Sequence, residues 1–156
     1  MQDQVEVDPS YIVFCGWTAD GWQLIYDISH LHPDWDQLIQ TYQVISQTYE
    51  GHLIYESSFT LFRQQERPAC SLASYPKVLK AELWETIFAV KRKFFTEVEP
   101  DIVAHFIKEE HAVEQRYQLY AKYLALPGYQ MGIEPTIRTF TYTKLPAVED
   151  ESQFAV

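Results

Sequence analysis

The chain has 156 residues, 47% of them hydrophobic and 15% aromatic, with a formal net charge of −10. That length fits one domain burying roughly two-thirds of its unfolded surface, and the apolar content excludes a disordered polymer. No apolar run approaches the roughly 18–20 residues of a membrane-spanning helix, and the acidic start MQDQVEVDPS lacks the features of a signal peptide, so a cytoplasmic protein without membrane association is expected.

Residues 11–17 (YIVFCGW) are rich in β-branched and aromatic side chains and read as a strand. Asp20-Gly21 is a strong hairpin signal, and residues 22–28 alternate as a second strand with Trp22, Leu24, Tyr26 and Ile28 on one face. A first helix is expected from His32-Pro33 to about Gln47. Proline opens it, Asp34 and Asp36 favour its dipole, and Trp35, Leu38, Ile39, Tyr42 and Ile45 recur at helical spacing. Gly51 breaks that helix. Residues 52–63 then form an extended strand with Leu53, Tyr55, Ser57, Phe59 and Leu61 on one side, and the polar stretch 66–75 is a short edge strand or a loop.

Pro76 opens the longest helix, to about Glu97, with an apolar stripe of Leu79, Leu83, Trp84, Ile87, Phe88, Val90, Phe94 and Phe95. Pro100 ends that connection, and residues 101–108 are a strand with apolar side chains on both faces, hence central. A third helix covers about 109–126, with Val113, Tyr117, Tyr120 and Leu124 inward, and stops at Pro127-Gly128. Residues 136–144 (TIRTFTYTK) are the last strand. The sequence thus predicts an α+β fold: one mixed sheet of about five or six strands, with about three helices packed mainly on one face. Its domain spans 10–146, between an acidic N-terminal segment (1–9) and an acidic C-terminal tail (147–156). Leu83, Ile87, Phe88, Ile102, Ala104, Phe106 and Tyr117 are expected to be almost fully buried.

Charge says little about a polyanion partner. Without the six acids at the two ends, sixteen acids face twelve bases, an ordinary balance for solubility that disfavours direct nucleic-acid binding. Cys15 and Cys70 lie 55 residues apart and form no metal-binding pair; both read as small buried hydrophobes. His30 and His32 flank a turn near Asp27, Asp34 and Asp36, but no ligand spacing is met, and no metal or other cofactor is expected. Lys77, Lys80, Lys91, Arg92 and Lys93, interrupted by Glu82 and Glu85, read as an exposed mixed-charge helix face.

The remaining candidate chemistry centres on the second half. Glu109, Glu110 and His111 follow the central strand, where an acid–base pair can work and Arg116 can hold an anion. His105 can line a pocket or be a satisfied core residue. The block LWETIFAVKRKFFTEVEPDIVAHFI with HAVEQRYQLYAKYL and PGY, about residues 84–129, resembles small uncharacterised α+β proteins of phages and other mobile elements. The residues that carry the resemblance are Phe88, Pro100, Asp101, Ile102, Phe106, Arg116, Tyr120 and Tyr129, and the Ser/Thr-Gly-rich segment usual before the long helix is replaced by CSLASYPK. A mostly hydrophobic pattern speaks for fold rather than activity.

No catalytic signature is present, and 24 aromatics exceed what one core of this size requires. The leading expectation is a non-enzymatic protein-binding domain. The resemblance would make it an inhibitor, antitoxin or immunity factor of a mobile element, with Arg116, Tyr120 and Tyr129 at the binding surface. The rival is a small enzyme or binding protein for a phosphorylated or nucleotide ligand, resting on His105, His111, Arg116 and Tyr120. A homo-oligomeric structural protein is the third reading.

Overall fold

The computed structural model describes residues 5–31, 35–63, 68–69, 77–108 and 112–146. A single mixed sheet runs β1 (Ile12–Thr18), β2 (Gly21–Asp27), β3 (Trp35–Gln47), β4 (Leu53–Arg63), β6 (Ile102–Phe106), β8 (Thr139–Lys144) and β7 (Tyr129–Glu134) in spatial order. The two-residue β5 (Pro68–Ala69) adds to the far end of β4. β1 to β4 form an antiparallel meander. Helix α1 (Lys77–Val98) then crosses over so that β6 lies parallel to β4, the only parallel pair among the described residues, and α2 (Val113–Tyr123) leads to the β7–β8 hairpin. Among the described residues no helix is long and apolar enough to cross a membrane.

Both helices cover the same sheet face. That face carries Trp22, Leu24, Tyr26, Leu38, Tyr42, Tyr55, Leu61, Val103, Phe140 and Tyr142, all buried. Phe94 of α1 stacks flat on Tyr42, with ring centroids 3.6 Å apart, and meets Trp22 and Tyr55 edge-on. Tyr142 donates from its hydroxyl to the Leu124 carbonyl (2.8 Å), tying β8 to the end of α2. Gly21 opens β2 at φ +142°, and a Cβ there would sit 2.2 Å from the Tyr42 carbonyl oxygen, so hairpin and β3 approach at a distance only glycine permits.

Several expectations are corrected. The helix expected over 32–47 is strand β3, which pairs with β2 through Gln37–Tyr42 and with β4 along nearly its whole length. Its inward residues are Leu38, Gln40 and Tyr42, and the buried glutamine hides the two-residue period. β7 was not anticipated, although Tyr129, Met131 and Ile133 alternate with Gln130, Gly132 and Glu134. The sheet therefore has seven strands in its path rather than five or six, and the described residues hold two α-helices rather than three. Within β6 the inward pair is Val103 and His105. Phe106 is 45% exposed, Ile102 and Tyr117 are half-buried, and Ala104 is buried by its neighbours on the open face. Among the described residues the helices cover one face of the sheet, so hydrophobicity on both faces of β6 did not mean burial of both.

Residues 5–9 are tied to the domain: Arg92 donates to the Val5 carbonyl (2.7 Å), the Asp8 N–H donates to the Tyr26 hydroxyl (3.0 Å), and Val7 packs on the core. The tail 147–156 lies outside the described residues.

Candidate functional site

A polar cluster lies in the middle of the covered face. Tyr42 of β3 pairs across the sheet with Ser57 of β4, and one step beyond the Glu56–Ala104 pair the register sets Ser57 beside His105 of β6. Lys91 descends onto this row from α1, one turn from Ile87 and from Phe94 and Phe95, so it occupies the helix's apolar stripe. Its Nζ lies 2.6 Å from Ser57 Oγ and 3.4 Å from His105 Nε2. The rings of Tyr42, Phe59 and Tyr120 surround it, with centroids 5.5–5.8 Å away. The sequence reading of Lys91 as part of an exposed charged face is therefore corrected: the residue is 1% exposed.

No described carboxylate pairs with this amine, and burial drives its pKa well below the ordinary lysine value, with Arg116 adding repulsion. His105 is pushed down in the same direction by burial and then by Lys91. Both groups are therefore shifted toward their neutral forms. A neutral amine has a lone pair that can accept a proton, unlike an ammonium. Gln40 donates from Nε2 to Ser57 Oγ (3.0 Å) and to the Ser58 carbonyl (2.9 Å). Ser57 Oγ thus accepts from both Gln40 Nε2 and Lys91 Nζ. Three buried polar atoms in this neighbourhood have no partner among the described residues: Gln40 Oε1, the Tyr42 hydroxyl and His105 Nδ1. Tyr42 stays protonated, because burial raises its pKa strongly.

The structure brings some of the sequence-derived candidates together. His105 stacks on Phe140 (4.7 Å) and meets Tyr120 edge-on (5.0 Å). Arg116 is half-buried with its guanidinium 4.9 Å over the Trp84 ring, and its charge acts on both Tyr120 and Lys91. Glu109, Glu110 and His111 lie outside the described residues, as do His32, Asp34 and Cys70. Tyr129 is held apart as a strap: its hydroxyl donates to the Pro100 carbonyl (2.7 Å), its ring meets Phe95, and burial raises its pKa to about 12. His30 stacks on Tyr11 (4.1 Å), and the Asp27 carboxylate accepts from Ser29. Cys15 is a half-buried free thiol. Ser57, Lys91, Gln40 and Tyr42 were not anticipated as a site. The available cue was Lys91 falling four residues after Ile87 and three before Phe94.

A second feature lies at the sheet margin. Among the described residues β1 is an edge strand paired only with β2. A bulge between Ile12 and Phe14 turns its first residues, but Phe14–Thr18 (FCGWT) has neither charge nor proline. Phe14 (40%) and Trp17 (58%) are exposed on it. Residues 1–62 contain nine acids and no Lys or Arg, so this half supplies nearly all of the net charge of −10. No family model matches the chain, and no curated protein or solved structure matches it either.

Proposed function

We propose that the chain is a protein-binding domain that adds an extended segment of a basic partner protein to the β1 edge. The observation that carries this reading is the unprotected Phe14–Thr18 stretch. Edge strands in soluble proteins are ordinarily blunted by charge, proline or cover, because their free N–H and C=O groups template another strand. Here the exposed aromatics Phe14 and Trp17 add apolar contact to that backbone template. Exposed Glu6, Asp8 and Asp20 near the strand, with no base anywhere in residues 1–62, favour a partner rich in Lys or Arg. The same charge disfavours nucleic acid on this edge and a second copy of the acidic half.

The test starts with capture of partners from host extract by wild type and by Phe14→Asp and Trp17→Asp, both at exposed positions. A recovered basic partner is then purified and mixed with the wild-type protein for backbone hydrogen exchange. Protection confined to β1 amides, with binding lost in both variants and weakened by salt, supports the reading. A partner that leaves β1 amides unprotected overturns it, as does a sizing experiment in which β1 instead joins two copies of this chain.

A further inference from the structure

We propose that Ser57 and Lys91 form an acyl-accepting dyad, with Ser57 Oγ the nucleophile, Lys91 Nζ its general base and the Tyr42 hydroxyl the donor to the developing oxyanion. An activated nucleophile is recognised by a base within hydrogen-bond reach whose own position is fixed by further contacts. Both conditions hold: the Ser57–Lys91 separation is 2.6 Å, and Lys91 is fixed by His105 and three aromatic rings. The amide of Gln40 also donates to Ser57 Oγ and fixes that oxygen beside the amine, to which it can pass its proton as a bond to carbon forms. That amine has no carboxylate partner among the described residues and is buried, so its neutral form, with a free lone pair toward Ser57, is favoured.

The unpartnered Tyr42 hydroxyl supplies what such a site needs besides a nucleophile. It is buried, protonated, on the strand adjacent to Ser57, and without a hydrogen-bond partner among the described residues. A donor left free in the resting protein is available to a charge that forms only during reaction. Ser57 retains 8% exposure against 1% for Lys91, so the nucleophile is the member nearer to solvent. The aromatic surround selects a small apolar acyl group, carried by an ester or thioester. In the reaction the Ser57 oxygen bonds to the acyl carbon while its proton passes to Lys91. The bond to the leaving alcohol or thiol breaks, and that group departs with the proton from Lys91. Water then repeats the sequence in reverse order, releasing the carboxylic acid and restoring Ser57.

This inference uses none of the β1 edge and stands apart from the docking surface. A small alkyl fluorophosphonate tests it, since attack by Ser57 forms an O–P bond, expels fluoride and leaves a stable mass increment. Intact-mass and peptide analysis of the full chain should show one adduct, on Ser57. Labelling should disappear in Ser57→Ala and fall at least 100-fold in Lys91→Met, while both variants keep a cooperative melt. Tyr42→Phe should slow labelling about tenfold or more. Absence of an adduct on Ser57 in folded wild type overturns the dyad, as does equal labelling of Lys91→Met.

Discussion

The two halves of this molecule solve different problems with one sheet. Residues 1–62 build a meander with no Lys or Arg, an exposed aromatic edge and nine acids. Residues 63–156 are nearly charge-balanced and contribute both described helices, which pack on one face of the sheet. The halves meet at Tyr42, Ser57, Lys91 and His105, two residues from each. A strongly one-signed half is stable because its apolar cover comes from the other, so folding and surface charge are assigned to separate segments. Among the described residues the seam is where polar groups from both halves are buried together.

That comparison breaks most sharply at Phe94. It is the side chain of the second half that enters the ring cluster of the first, so Phe94→Ala should cost about 3–5 kcal/mol in denaturant melts. A loss below about 1 kcal/mol would show that the meander does not depend on the roof. Next is Gly21→Ala, which places a Cβ against the Tyr42 backbone at positive φ. Its expected cost is about 1–3 kcal/mol, read in the same melts, and its damage should spread to the β2–β3 amides in hydrogen exchange.

The seam itself predicts a gain. Lys91→Met replaces a buried amine by an apolar side chain of similar length and should stabilise the domain by about 1–4 kcal/mol at pH 7. The sign follows from linkage. The folded-state pKa of Lys91 is depressed, so below the unfolded value near 10.5 the unfolded chain binds the extra proton and stability is lost as pH falls. The advantage of the methionine variant should therefore shrink as pH is raised toward 10.5. His105 adds a second loss on the same principle below its unfolded value of 6.5. Urea melts of both proteins across pH 5–10 check this, and a pH-independent difference would contradict it. The smallest effect is expected at Phe106, 45% exposed on the open face, where truncation to Ala should change stability by no more than about 1 kcal/mol.

Much of this fold was legible because its periodicities are clean. Trp22, Leu24, Tyr26 and Ile28 mark β2, and Leu83, Ile87, Phe88 and Phe94 mark α1. β3 was obscured by two overlapping patterns. Leu38, Ile39, Tyr42 and Ile45 satisfy helical spacing, whereas the strand requires Gln40 to count as a core residue. The candidate site failed to show for a related reason. Lys91 sits between Arg92 and a run of hydrophobic residues, and composition assigns lysine to solvent unless its helical phase is read instead. Ser57 shares the inward face of its strand with Tyr55 and Phe59, but nothing in the local sequence marks a serine there as reactive. Of the candidates named in advance, His105, Arg116 and Tyr120 surround Lys91, because β6 and α2 converge under α1, while Tyr129 is engaged elsewhere by Pro100.

The order of β6 and β8 in the sheet has a consequence for the chain during its synthesis. β6 finds one neighbour in β4, already made, but its other edge pairs with Thr139–Thr143, which emerge much later. At about 5–20 residues per second, the ribosome takes roughly 2–8 s to pass from the end of β6 to the end of β8. For that interval the nascent chain holds an apolar strand with one open side, flanked by helix α2 whose own seat on β8 does not yet exist. Completion of the roofed half is thus a late event. A stalled or truncated product ending before residue 139 would present β6 as a template for aggregation or as a binding site for chaperones.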